Sequence, residues 1–283
     1  MILLDGKAVA KQIREELKEK IKNESHKPIL TVIMVDSEKS GPSQIYVRNK
    51  IKAAEEVGID VSVINIPKTV AEDDLIKFIG AYNERLYLTD GLIVQLPLPD
   101  HIDEHKVLNS ISPRLDVDGF HTQNAGLTLA GKDCMKPCTA YGIMRLLEAY
   151  NIDVTGKKVK IINRSMIVGK PLASLMLNKN ATVTVLHSKS LNIKKECRSA
   201  DIIVTGVGTP NFIKEDYIKK GAVVVDVSIN RVYDGFVSKI CGDVDFENVA
   251  PKTSYITPVP GGVGPMTIAM LMEQTYQAYL NNK

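Results

Sequence analysis

Tyr46 and Lys50 stand four residues apart in a stretch with helical spacing, so they share one face. A lysine beside a phenol can accept or relay a proton where water is excluded. Side chains at this spacing are also ordinary surface neighbours, and spacing alone does not choose. Gln95 ends the apolar run Gly91-Leu92-Ile93-Val94-Gln95-Leu96, just before Pro97. A polar residue there is either part of a site or a buried group satisfied by backbone. Asp116 and Asp118, in Leu115-Asp116-Val117-Asp118-Gly119-Phe120, suit a loop cap or turn. Paired acids also suit a metal, but no metal site is expected here.

A second set of residues suits an anion. Lys160-Ile161-Ile162-Asn163-Arg164-Ser165-Met166-Ile167-Val168-Gly169-Lys170-Pro171 reads as a buried strand, a phosphate-sized turn and a helix that accepts Pro171 in its first turn. Such a turn points backbone N–H groups and a helix dipole at a negative charge, and Arg164 and Ser165 add side-chain donors. Only Gly169 of the usual dinucleotide glycines is present, so an ordinary strand-to-helix turn is the alternative. Further strand ends converge on small residues, at Gly206-Val207-Gly208 and Asp226-Val227-Ser228. Ligands of open α/β sheets bind outside the carboxyl ends of strands, which supports a nucleotide site built from several loops.

About 24 residues after Asn163, the next strand ends at Leu186-His187-Ser188-Lys189. An NAD-specific site would place an acid here for the ribose 2′-hydroxyl, and there is none. Arg164, Ser188 and Lys189 suit a 2′-phosphate instead, which favours NADP over NAD. The alternative is that His187 and Lys189 are solvated loop residues. Pro258-Val259-Pro260-Gly261-Gly262-Val263-Gly264-Pro265 combines glycines that permit close backbone approach with prolines that stiffen it. It is either a ligand wall or a connector.

The elements that must position these groups alternate strand and helix. Helical periodicity covers Lys7 to Asn23, Ser43 to Val57, Ala71 to Asn83 and Ala140 to Tyr150. Apolar strands are expected at Ile29–Val35, Val61–Ile66 and Gly91–Leu96 in the first half. In the second half they are expected at Val159–Ile162, Thr182–Leu186, Ile202–Thr205 and Ala222–Val227, with helices at Leu172–Lys179, Ile193–Cys197 and Glu215–Lys220. Asp116 to Lys136 reads as a crossover, and a closing helix over Thr267 to Leu280 has no strand after it. The βα rhythm implies a mostly parallel sheet covered by helices.

Bulk properties exclude several classes. The chain has 283 residues, long for one core and comfortable for two domains. A net charge of +3 with dispersed basic residues gives no footprint for nucleic acid. No apolar run approaches the ~20 residues of a membrane span, and Met1–Lys7 lacks a signal-peptide pattern. The four cysteines form no CxxC pair, so they are expected as free thiols in a reducing cytoplasm.

Together these features resemble the bifunctional methylenetetrahydrofolate dehydrogenase/methenyltetrahydrofolate cyclohydrolase family. The carriers run in order from Ser43-Gln44-Ile45-Tyr46-Val47-Arg48-Asn49-Lys50 through Gln95-Leu96-Pro97-Leu98-Pro99 to Asp116-Val117-Asp118-Gly119-Phe120. They continue with Pro137-Cys138-Thr139, Arg164-Ser165, Ile167-Val168-Gly169, His187-Ser188-Lys189 and Pro258–Thr267. The resemblance implies an α/β protein of two domains with a folate cleft between them. An N-terminal βα catalytic domain would span residues 1–120, with the C-terminal helix at about 267–283 packing back on it. A Rossmann-like NAD(P)-binding domain would span 140–266. The resemblance also implies a homodimer formed through the cofactor domain.

The implied chemistry is oxidation of 5,10-methylenetetrahydrofolate with NADP, then hydrolysis of the methenyl product to 10-formyltetrahydrofolate. Lys50 matches the central catalytic lysine, Tyr46 the tyrosine that stacks on or positions the folate, Gln95 the glutamine that tunes the lysine, and Asp118 the acid that holds the pterin. Substrate contacts carry over to Ser43, Tyr46, Lys50, Gln95, Leu96, Pro97 and Asp118, and to Pro260, Gly261, Gly262 and Thr267. Cofactor contacts carry over to Thr139, Asn163, Arg164, Ser165 and Ile167, to His187 and Ser188, and to Gly206, Gly208, Ser228 and Ile229. Three residues depart from the pattern. Asn163 and Ser228 stand where the family commonly has glycine, and Ala140 where it has proline. They bear on cofactor affinity and on the preference for NADP over NAD. A dehydrogenase without cyclohydrolase activity, and a binding protein without turnover, are the competing readings.

Overall fold

The structure, a computed structural model, describes residues 1–36, 41–84, 88–234 and 237–283, leaving aside the side chains of 41–45, 234 and 237. It divides into two compact units. One is Lys11–Cys138 with Ile268–Lys283, and the other is Met1–Ala10 with Thr139–Thr267. Strand β1 (Ile2–Leu3) and helix α1 (Gly6–Ile21) open the chain.

The first unit is built on β2 (Ile29–Val35), α2 (Gly41–Val57), β3 (Asp60–Ile66), α3 (Glu72–Glu84) and β4 (Gly91–Val94). The strands form a parallel sheet of order β3-β2-β4. The uninterrupted apolar run of β2 suits a central strand buried on both faces. Ile33, Val35, Leu92 and Val94 join Leu75, Ile79, Val107 and Ile111 in one core. Helix α4 (Glu104–Ser110) starts at Asp103, whose carboxylate accepts from the N–H groups of His105 (2.9 Å) and Lys106 (3.2 Å). The stretch expected as a plain crossover contains helix α5 (Thr122–Leu129), capped by His121 Nδ1 accepting from Gln123 N–H at 3.0 Å. Its Asn124 is buried and bonds backbone and carboxylate, so local polarity hides a packed helix.

The second unit holds α6 (Cys138–Ala149), β5 (Lys158–Ile162), α7 (Gly169–Asn178), β6 (Thr182–Leu186), α8 (Ile193–Cys197), β7 (Ile202–Thr205) and β8 (Val223–Asp226). Hairpin strands β9 (Asn230–Asp234) and β10 (Val237–Cys241), short helix α9 (Phe246–Val249) and strand β11 (Tyr255–Ile256) complete it. Its six-stranded parallel sheet has the order β1-β11-β8-β7-β5-β6, so the first strand of the chain forms its edge. The order reverses at β5, with β6 on one side and β7 on the other. That is the crevice where open α/β sheets bind ligands. Val204, Val224, Ile161 and Ile162 are all buried.

Three further differences from the sequence pattern have physical causes. The helix expected from Leu172 begins at Gly169, because side chains of the preceding turn satisfy its first N–H groups. The helix expected over Glu215–Lys220 is a single 3₁₀ turn, Glu215–Tyr217, after which Ile218 turns extended and enters the core. The β9–β10 hairpin was not expected, since its polar alternation resembles a loop.

The closing helix α10 (Val263–Asn282) starts inside the Pro-Gly segment, with Pro265 in its first turn. Its Gln274 is buried and fully used. The side-chain oxygen accepts from Lys136 N–H (2.6 Å), and the amide donates to the carbonyls of Val117 (2.7 Å) and Lys136 (2.8 Å). Gln274→Leu keeps the volume but strands these backbone groups, at a cost of about 2–3 kcal/mol. Urea melts should show an earlier midpoint for this variant; an unchanged midpoint would mean that water or a neighbour replaces Gln274.

Candidate active site

In the first unit, Lys50 is only 5% exposed although it carries an ammonium. Its Nζ donates to Gln95 Oε1 at 3.2 Å and lies 3.7 Å from Asp118 Oδ2. A buried cation must be paired, and this one has a neutral acceptor and a single carboxylate. Gln95 leaves the end of β4 with its N–H on Ile33 O (2.9 Å), while its amide donates to Leu96 O (2.8 Å). That bond turns its carbonyl toward Lys50. The Leu96–Pro97 peptide is cis. Tyr46 lies one turn before Lys50 in α2 and is half-buried. The structure therefore brings Lys50, Gln95 and Asp118 together, and the surface-neighbour alternative for Lys50 is excluded. The side chain of Ser43 lies outside the described residues.

Asp118 is aimed by a turn built around Asp116, which is 1% exposed. Asp116 Oδ1 accepts from Gly119 N–H (3.1 Å), and Oδ2 from His121 N–H (2.7 Å) and the Asn124 amide (3.0 Å). Gly119 has φ +75°, and a Cβ there would sit 2.3 Å from the Lys136 carbonyl carbon. Only glycine closes this turn. Burial pushes the Asp116 carboxyl up to about 7, against the lowering effect of its N–H donors. The Cys138 thiol donates to Val117 O at 3.3 Å, and burial pushes it well above the usual thiol range.

In the second unit, the residues expected at a dinucleotide site gather at the carboxyl ends of β5, β6, β7 and β8. Asn163 Oδ1 accepts from Ser165 N–H (2.8 Å), Ser165 Oγ (2.7 Å) and Gly169 N–H (3.1 Å). Its amide donates to Gly206 O at 2.6 Å. A Cβ on Gly169 would lie 2.0 Å from Asn163 O, so the turn tolerates no side chain there. Arg164 is exposed beside this turn, with Ile167 40% and Ile229 55% exposed. At the end of β6, His187 Nδ1 accepts from Lys189 N–H at 3.1 Å, which orders the loop that carries Ser188. An exposed guanidinium, hydroxyl and ammonium with no acid in Leu186–Ser190 form a donor set that fits a 2′-phosphate.

The Gly206–Gly208 loop hangs on a carboxylate that sequence reading missed. Asp243 is fully buried and accepts from Thr205 Oγ1 (3.0 Å) and from the N–H groups of Val207 (2.6 Å), Gly208 (3.1 Å) and Thr209 (2.9 Å). It also accepts from Ser228 Oγ (2.8 Å) and the Asn230 amide (3.1 Å). Neighbouring Asp226 is 2% exposed and accepts from Val244 N–H (2.8 Å) and Ser228 N–H (3.1 Å). Burial, then the nearby Asp243 charge, raise its carboxyl to about 7. The available signal was Gly242-Asp243-Val244-Asp245, an acid-Val-acid pattern like that at Asp116.

The Pro-Gly segment is a backbone device. Lys7 N–H donates to Gly261 O at 2.9 Å, Gly261 has φ +111°, and a Cβ on Gly6 would lie 1.9 Å from Gly262 O. The Val259–Pro260 peptide is cis. Thr267 Oγ1 donates to Thr139 Oγ1 at 3.2 Å, which ties the start of α10 to the start of α6. Among the described residues no cluster of acids, histidines or cysteines is placed to hold a metal, and no helix is long and apolar enough to cross a membrane.

Known proteins agree with this geometry. Residues 4–118 match the tetrahydrofolate dehydrogenase/cyclohydrolase catalytic domain, and residues 137–283 match the NAD(P)-binding domain of the same family. The chain belongs to the tetrahydrofolate dehydrogenase/cyclohydrolase family. A Streptococcus thermophilus relative named Bifunctional protein FolD is 49% identical over 285 residues, covering 99% of this chain and 98% of that protein. The crystal structure of the bifunctional FolD dehydrogenase/cyclohydrolase from Campylobacter jejuni is 46% identical, with TM-score 0.96 and complete coverage of both chains. A Trypanosoma brucei FolD structure, complexed with NADP cofactor and inhibitor, is 35% identical with TM-score 0.93, covering 100% of this chain and 98% of that one. Ala140 is buried in α6, whereas Asn163 and Ser228 both bond the Gly206–Gly208 loop.

The buried acids set a pH dependence. Each carboxyl titrates near 4 in the unfolded chain and about 7 when folded, so between those values the folded state holds protons that the unfolded state has lost. Stability therefore falls as pH rises through this window. Thermal melts should show Tm decreasing between pH 5 and pH 8, and Asp116→Asn or Asp226→Asn should each flatten the decline. A Tm that rises over that range would contradict the assignment.

Proposed function

We propose that the Lys50–Gln95–Asp118 cluster serves both folate reactions and that the loops after β5, β6, β7 and β8 hold NADP. The enzyme oxidises 5,10-methylenetetrahydrofolate to 5,10-methenyltetrahydrofolate with NADP, then hydrolyses that product to 10-formyltetrahydrofolate. NADP, when bound, supplies the hydride acceptor.

Loss of hydride leaves a cationic methenyl carbon. Asp118 holds the pterin ring, and its carboxylate offsets positive charge nearby. Tyr46 positions the folate through its ring, one turn along the helix from Lys50. In the hydrolytic step, water adds to the cationic carbon and gives up one proton. The added oxygen then becomes the formyl carbonyl as that carbon's bond to one ring nitrogen breaks, and the second water proton goes to that nitrogen. Lys50 relays the proton, and Gln95 holds the lysine Nζ in line. Leu96 and Pro97 form the adjacent wall, with Pro260, Gly261, Gly262 and Thr267 as further substrate contacts. The observation that carries this reading is the burial of Lys50 with Gln95 and Asp118 as partners.

Arg164, Ser188 and Lys189 receive the 2′-phosphate. Thr139, Asn163, Ser165, Ile167, His187, Gly206, Gly208, Ser228 and Ile229 line the rest of the dinucleotide. A cytoplasmic homodimer belongs to the same reading, supported by four free thiols and by the family pattern. A net charge of +3 supports a small-molecule substrate rather than nucleic acid.

Lys50→Met should reduce cyclohydrolase turnover about 100-fold or more while folate still binds. Decay of methenyl absorbance measures it, and full retained activity would remove Lys50 from its role. Arg164→Ala should raise the Kd for NADP about tenfold and leave that for NAD nearly unchanged. Equal losses for the two cofactors would place the 2′-phosphate elsewhere.

A further inference from the structure

Asn163 and Ser228 approach one loop from opposite sides. They follow β5 and precede the hairpin after β8, and β7, which carries the loop, lies between those two strands in the sheet. From the β5 side, the Asn163 amide donates to Gly206 O at 2.6 Å. From the β8 side, Ser228 Oγ accepts from Gly208 N–H at 3.1 Å and donates to Asp243 at 2.8 Å. Asp243 shares the Gly208 N–H with Ser228 (3.1 Å) and also accepts from the N–H groups of Val207 and Thr209. Neither contact exists for glycine at 163 or 228.

We infer that Asn163, through Gly206 O, and Ser228, together with Asp243, are a coupled pair of positioning residues that hold the Gly206–Gly208 loop in its dinucleotide-binding shape. A Gly-Val-Gly loop left to itself samples many backbone conformations, and binding would have to select one. Polar side chains on both flanks make that selection before the cofactor arrives. Gly208 sits at φ +78°, and its N–H is shared between Ser228 Oγ and Asp243, so Ser228 adds to a hold that Asp243 begins. The two side chains thus tune cofactor affinity in this chain without reading the 2′-phosphate. The inference rests on the placement of NADP proposed above.

The test is a fluorescence titration of NADPH into the full-length enzyme, with KM and kcat for NADP measured alongside. The variants are Asn163→Gly, Ser228→Gly, their double, and Ser228→Thr, which keeps the hydroxyl. Each glycine variant should raise Kd about fivefold, the worth of one ordinary hydrogen bond. KM should rise in parallel with Kd. Ser228→Thr should stay within about twofold in Kd. The double variant should lose less than the product of the singles, because a loop freed on one flank gains less from the other. Unchanged Kd values with only a lowered Tm would overturn the inference and leave the network purely structural. Singles that multiply without coupling would overturn the clamp. The Arg164→Ala titration separates the two readings. If it weakens NADP selectively while the glycine variants bind normally, the clamp alone falls. If Arg164→Ala also has no effect, the placement of the dinucleotide falls with it.

Discussion

A carboxylate taken out of water must collect hydrogen-bond donors, and each unit of this enzyme uses that demand to set the loop beside its reactive groups. In the first unit the collector is Asp116, whose donors are the backbone of the turn that presents Asp118. In the second it is Asp243, whose donors are the backbone and side chains at the ends of β7 and β8. Neither acid is placed to do chemistry. Each converts a flexible stretch into a fixed one, because any other loop conformation leaves buried carboxyl oxygens without partners. That penalty exceeds what one ordinary hydrogen bond contributes, so the loops are held more firmly than their glycine content suggests.

The demand arises from the architecture. Parallel strands bury both faces, so backbone polar groups are satisfied along the ladder and run out at the carboxyl ends. There the chain needs side-chain acceptors and donors, and there the reactive residues appear. Gln95 follows β4 directly, Asn163 follows β5, and Ser228 stands just beyond β8. The helix–sheet core in each unit is ordinary apolar packing. Its contribution to function is the precision with which it brings these strand ends into register.

The periodic elements were legible because burial imposes period on sequence. The apolar runs of β2, β5 and β7 and the stripe of α1 read directly, as did the strand–turn–helix at Asn163 and the pairing of Tyr46 with Lys50 on one face of α2. Elements whose stability comes from a single distant contact were not legible. Helix α5 depends on Asn124 reaching Asp116, and the Asp116 turn depends on Gln274 more than a hundred residues later in the chain. Asp243 was invisible for the same reason: an acid in a loop looks solvated until the three strands around it are assembled. Individual positions of the family pattern carried roles for Lys50, Gln95 and Asp118. Their mutual geometry became readable only when β4 and α2 were placed side by side.

Asn163 and Ser228 show how polar side chains at strand ends can order a glycine-rich loop. Glycine at a strand end lets a ligand approach the backbone closely, but leaves the loop to be ordered by the ligand itself. A polar side chain at the same place reverses the order of events: the protein organises the loop, and some of the close approach is given up. At Asn163 the exchange is nearly exhaustive. Its carboxamide oxygen accepts from Ser165 N–H and Gly169 N–H, two of the groups that a bare turn would offer to a phosphate. An ordered turn and fewer free backbone donors are therefore consequences of the same carboxamide.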